Sequence, residues 1–184
     1  MVTCHPPLDP PGAQAIEIEL TGGDPRTLRN VDAVVSRVLA DPTHLDELIA
    51  CVLHSDDEIV RMRAADALEK VCRARPSLLQ PHLTTILGAM ARIDQPSVQW
   101  HVAQMLGEIE LTSRQRTRAV KVVRALLLGS SDWIVLNNSL DALATFARAD
   151  PRLVEVLRAH LHDAERSPLT SLAKRARRLS AEFG

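Results

Sequence analysis

From Asp24 onward, apolar residues recur at three- and four-residue steps, the spacing that gathers them on one face of a helix. Leu28, Val31, Val35 and Val38 form the first stripe, and Leu45, Leu48, Ile49, Val52 and Leu53 form the next. Val60, Ala64, Ala67, Leu68 and Val71 predict a third helix, and Leu79, Leu83, Ile86, Leu87 and Met90 a fourth. Val98, Val102, Met105, Leu106 and Ile109 follow, then Ala119, Val123, Leu126 and Leu127. Three more helices are predicted over Asp132–Ala149, around Leu153, Leu157 and Leu161, and after Ser167-Pro168, nine in all. Each has a start signal: a side-chain oxygen takes up an orphan N–H, or a proline replaces one. Asp24-Pro25, Gln95-Pro96 and Asp150-Pro151 are of the proline kind. Thr43-x-x-Asp46, Ser55-x-x-Glu58, Ser77-x-x-Gln80 and Thr112-x-x-Gln115 read as capping boxes.

Residues 1–23 follow another rule. Pro6, Pro7, Pro10 and Pro11 exclude a helix there. Ile16, Ile18 and Leu20 alternate with Glu17 and Glu19, a period of two, and Thr21-Gly22-Gly23 closes the segment. The pattern predicts a non-helical arm with a short strand over residues 1–23 and a helical domain over 24–184. A lone strand is unstable in water. The arm is therefore expected to pack on the first helices or to join two copies into a weak homo-oligomer; otherwise the chain is a monomer.

The second helix of each pair repeats. Asp57-Glu58-Ile59-Val60-Arg61-Met62-Arg63-Ala64-Ala65-Asp66-Ala67-Leu68 aligns with Gln95–Leu106 and with Asp132–Leu143, and Leu179 ends a degenerate copy. Helix pairs recurring at a period of this size predict an α-solenoid, because each pair must borrow a neighbour to cover its stripe. The first copy, with Asp57, Val60, Arg61, Ala64, Ala65, Ala67 and Leu68, resembles the second-helix (B-helix) pattern of the HEAT-repeat family over about residues 43–183. The family's Asp/Arg pair is complete only in that copy. The resemblance implies an all-α, right-handed solenoid of antiparallel helix pairs, about four repeats plus an N-terminal helix. It also implies that the B helices line a concave face and that the function is non-catalytic binding.

Composition narrows the rest. Aromatic residues are 2% and glycines 7, too few for a β-sandwich or barrel. Charge nearly cancels, with 22 Lys+Arg against 23 Asp+Glu, which argues against a protein that coats nucleic acid. Three cysteines make no disulfide framework and suit a reducing, cytoplasmic setting. The opening MVTCHPPLDPP has neither the basic nor the apolar region of a secretory signal. No apolar run reaches the ~18 residues of a membrane span.

The polar positions of the B helices fall into columns: Met62, Trp100 and Asn137; Arg63, His101, Asn138 and Lys174; Asp66, Gln104, Asp141 and Arg177. They outline a mixed charged and amide groove suited to a protein or peptide partner, or else an ordinary solvated face. Trp100 serves as a binding anchor if exposed and as core if packed between repeats. Trp133, at a helix start, is expected to pack. His101 suggests a plain polar contact more than a catalytic base, since no geometry supplies its partners. Cys51-x-x-His54 is half a metal site without a second half, and Cys51 reads as a buried small residue. No cofactor or metal is assigned. Arg166, Lys174, Arg175, Arg177 and Arg178 lie in a run without acids. With Arg63, Trp100 and Asp141 they echo the HEAT-like alkylpurine DNA glycosylases, so a DNA-binding protein of that kind is the alternative.

Overall fold

The computed structural model describes residues 13–24 and 27–183. Among them ten α-helices and four 3-10 turns follow one another, with no strand. The chain falls into two compact units, one ending at Leu68 and the other starting at Glu69, so the boundary lies within a helix.

The first unit holds α1 (Ala13–Leu20), α2 (Val31–Ala40), α3 (Leu45–His54) and the start of α4 (Glu58–Ala74). The strand expected at Ile16–Leu20 is thus a helix; Pro6 to Pro11 lie outside the described residues. Ile16 and Leu20 are two steps apart in a period-two reading, but they are also one helical turn apart. Both are fully buried, while Ile18 is exposed. A helix this short cannot hold itself in water. Its ends are fastened by partners far along the chain. The Ile16 N–H donates to Glu47 Oε1 at 2.7 Å. Past the other end, Gly22 and Gly23 turn the chain with φ of +74° and +73°, a region glycine enters freely. The Arg63 guanidinium spans that turn. It donates to the carbonyls of Leu20, Gly22, Asp24 and Thr27 at 2.5 to 3.0 Å. With Ile16–Leu20 helical, no strand is available there to pair with a second copy. The next helix begins at Val31, later than Asp24-Pro25 suggests, and Leu28 stays exposed in the preceding turn.

The second unit continues α4 and holds α5 (Leu83–Ile86), α6 (Pro96–Glu108), α7 (Ser113–Gly129), α8 (Trp133–Ala149), α9 (Val154–Glu165) and α10 (Thr170–Phe183). The helix predicted around Leu79–Met90 is broken into a turn at Pro76–Leu79, the short α5 and a turn at Met90–Arg92. Pro81 cannot donate within a helix. A Cβ on Gly88 would stand 2.9 Å from the Thr84 carbonyl oxygen, so the backbone is locally crowded as well. The apolar stripe survives the break: Leu79, Leu83, Ile86, Leu87 and Met90 are all buried. Of the other start signals, Thr112, Asp132 and Asp150 cap through their side chains, while those at Thr43, Ser77 and Gln95 do not. Thr112 and Gln115 form a complete capping box. Asp132 accepts the N–H groups of Ile134 and Val135 at 2.8 and 3.1 Å. Ser55 instead ends α3, and Asp57 Oδ1 takes the Ile59 N–H at the start of α4.

α8 is the central helix of this unit, packed on α6, α7, α9 and α10. Ala103, Leu126 and Val135 form a cluster at the meeting of α6, α7 and α8, with Trp100 and Val122 against it. One turn on, a Cβ on Gly107 would stand 3.6 Å from Ala142 Cα, ordinary contact with room for a methyl group and nothing larger. No described helix is long and apolar enough to cross a membrane.

Both described cysteines are buried and free. Burial, with Glu17 and Glu47 adding to it, pushes the Cys51 thiol up to about 12. Burial and then Glu108 push the Cys72 thiol up further.

Three outcomes follow. Arg63→Met leaves the buried Leu20 carbonyl and three part-buried ones without this donor and should cost roughly 2–4 kcal/mol of stability. Amide exchange should accelerate over residues 16–24 first, and Arg63→Lys should rescue little, since an ammonium lacks the planar fork. Gly107→Ala should raise the melting temperature, gaining roughly 0.5–1 kcal/mol of helix propensity, whereas Gly107→Leu should lower it. In a Cys4→Ser background, a thiol reagent at pH 8 should label Cys51 and Cys72 only once denaturant opens the fold, because the thiolate is the reacting form.

Candidate functional site

The B helices of the second unit are α6, α8 and α10. Ala103 meets Val135 and Gly107 meets Ala142, so α6 and α8 run in the same direction. α10 follows α8 likewise: Asn137 Nδ2 reaches Ser171 Oγ at 3.5 Å, Asp141 pairs with Arg175, and Arg148 pairs with Glu182. Each pair is 34 positions apart. That is shorter than the repeat, because helical side chains lean toward the N-terminus and meet an earlier turn of the next helix.

The predicted residues divide by depth. Arg63, in the first unit, is wholly buried among backbone carbonyls and presents nothing to a partner. Burial also places His101 and Asn137 beneath the face, contrary to their expected place in a solvated groove. His101 Nδ1 lies 3.0 Å from Gln104 Oε1, and its ring lies 5.5 Å from the Trp100 ring. Asn137 stands in the α8–α10 seam, where its Oδ1 is buried with no hydrogen-bond donor among the described residues. Asp66, in the first unit, is half-buried. Trp100, Gln104, Asn138 and Asp141 are half-exposed and Lys174 is exposed. Trp100 combines both readings made of it: one part lies on the Ala103 cluster and the rest meets solvent. Trp133 is not packed but 51% exposed, since its position at the first turn of α8 points it away from the core.

Charge on this face is largely matched. Asp141 receives both Arg175 and Arg178, the latter at 3.7 Å. Glu182, held below the usual carboxylate range by its hydrogen bonds from Arg148, completes the row, and the Arg148 guanidinium also lies 5.6 Å over the Phe183 ring. Arg175, Arg178, Arg148 and Glu182 were missed by the column alignment. The signal that finds Arg175, Arg148 and Glu182 is a pair of opposite charges 34 positions apart on successive B helices; Arg178 lies one turn beyond. The constellation of Arg63, Trp100 and Asp141 that suggested a glycosylase is not available as such, since Arg63 is sealed inside and Asp141 is engaged by two arginines. Among the described residues no group of three or more His, Cys, Asp or Glu is placed to hold a metal ion.

No curated protein and no solved structure matches the chain. The family model described as HEAT repeats matches residues 81–176, which cover the broken helix, α6, the α7–α8 pair, α9 and the start of α10. The match spans more than half of the chain, and the buried apolar stripes and the B helices laid side by side in parallel agree with it: the chain belongs to the HEAT-repeat family.

Proposed function

We propose that the protein is a non-catalytic cytoplasmic scaffold that holds a protein or peptide partner on the α6–α8–α10 face, the concave side of a right-handed HEAT solenoid in the second unit. HEAT repeats commonly act as interaction scaffolds, and extended concave surfaces are the usual contact of such folds. The observation that carries the reading is one row of accessible side chains on three parallel helices: Trp100 and Gln104, then Asn138 and Asp141, then Lys174. The Trp100 edge, the Gln104 amide and the Lys174 ammonium offer anchoring area and directional hydrogen bonds, with Asn138 and the arginine-paired Asp141 between them. His101 acts from below, orienting Gln104.

Affinity capture from the native organism, quantified against the wild-type bait, tests this. The double variant Gln104→Ala, Lys174→Glu should lose its specific partner by about tenfold or more. Its melting temperature should stay within about 2 °C, as substitutions on exposed positions do. An unchanged captured set would place the binding surface elsewhere.

A further inference from the structure

The opposite side of the second unit carries charge of another kind. α7 bears Arg114, Arg116, Arg118, Lys121 and Arg124 and no acidic residue. On α10 two of the four bases, Arg175 and Arg178, meet Asp141. On α7, by contrast, no ion pair engages Arg114, Arg118 or Lys121 among the described residues. Three unopposed cations on one helix repel each other and cost stability unless an outside anion answers them.

Of these three, Lys121 lines a groove between α7 and α9, while Arg114 and Arg118 lie outside it. Its first part is a cavity of about 280 Å³. Arg116, Lys121 and Arg152 rim it, and Val120, Leu153 and Val156 supply an apolar lining. Asp150, the one acid on its wall, is already taken by Arg152, which holds its carboxyl below the usual range. The second part is a cavity of about 380 Å³ lined by Leu127, Leu128, Leu136, Ala164 and Leu172, with Ser130, His160, Asp163 and Ser167 as polar members. Leu128 stands 74% exposed at its edge. The two cavities meet where Arg124 Nε donates to His160 Nε2 at 3.3 Å. The groove therefore reads in one direction as cationic rim, then apolar trough.

We propose that the α7–α9 groove is a second docking site, and that its occupant is a partner protein's peptide segment carrying carboxylates at one end and large apolar side chains at the other. Carboxylates answer Lys121 and the excess of positive charge that Arg116 and Arg124 add to the rim, and apolar side chains cover Leu128 and its neighbours. Buried apolar area supplies affinity, and the charge end sets direction and association rate. Nucleic acid fits less well, because the trough offers no aromatic ring for bases to stack on. This site is independent of the α6–α8–α10 face.

A display library of random peptides, selected on the full-length protein, provides the probe. Enriched sequences should place Asp or Glu ahead of large apolar residues. A synthetic copy of the strongest should bind about tenfold or more weakly to Lys121→Glu, and likewise to Leu128→Asp. Both side chains are exposed, and both variants should melt like the wild type. Lys174→Glu should leave this binding unchanged, which separates it from the other face. No enrichment, enrichment without acids, or binding untouched by Lys121→Glu would overturn the proposal. Short duplex DNA retained by the wild type and lost by Lys121→Glu, with no peptide selected, would overturn it in favour of a nucleic-acid site.

Discussion

The second unit depends on how closely α6 and α8 approach. Ala103, Gly107 and Ala142 leave so little side chain between the two helices that their backbones pack almost directly. This closeness has two consequences. It excludes water from Met105, Leu106, Leu140 and Leu143, each fully buried. It also brings the outer rows of neighbouring helices within reach of one another, so that polar residues far apart in sequence form one surface. Wider spacing would bury the same stripes less well and leave the polar rows as separate ridges.

The first unit solves a different problem by different means. α1 has too few residues and too narrow a stripe to be stable through packing alone. Its ends are therefore met by two buried ionisable groups, Glu47 at the N-terminal amides and Arg63 at the C-terminal carbonyls. Each answers the partial charge the helix end exposes, positive at the start and negative at the finish. Hydrogen bonds to ionised groups inside a fold are worth more than the exposed ion pairs of α8 and α10, which contribute at most about 1 kcal/mol each. The same residue type, arginine, is thus a structural clamp at position 63 and a surface feature at 175.

Charge distribution separates the two faces of the second unit. On the B-helix side Asp141, Arg175, Arg178, Arg148 and Glu182 satisfy one another, leaving Trp100, Gln104 and Lys174 to distinguish partners. On the α7 side the helix carries no acid, and Lys121, without an ion pair, lines a cavity whose rim is mainly basic. A net charge near zero conceals this, because acids and bases cancel over the whole chain and not over each surface.

Local rules were enough to establish the family, the apolar stripes and most helix starts. Capping by Thr112, Asp132 and Asp150 depends only on residues a few positions away, and a helical stripe stays buried whichever neighbour covers it. The break at Pro81 was visible as a residue and not as a break, because one proline near a helix start is often tolerated. Residues 16–20 were ambiguous in principle: a period-two run of five also contains an i, i+4 pair, and only Glu47 and Arg63, brought near by folding, select the helix. For the same reason the depth of Arg63, His101 and Asn137 could not be read from their columns. A repeat alignment states which residues are equivalent, whereas burial and ion pairing depend on which turn of the next helix lies opposite, and that offset exists only once the helices have packed.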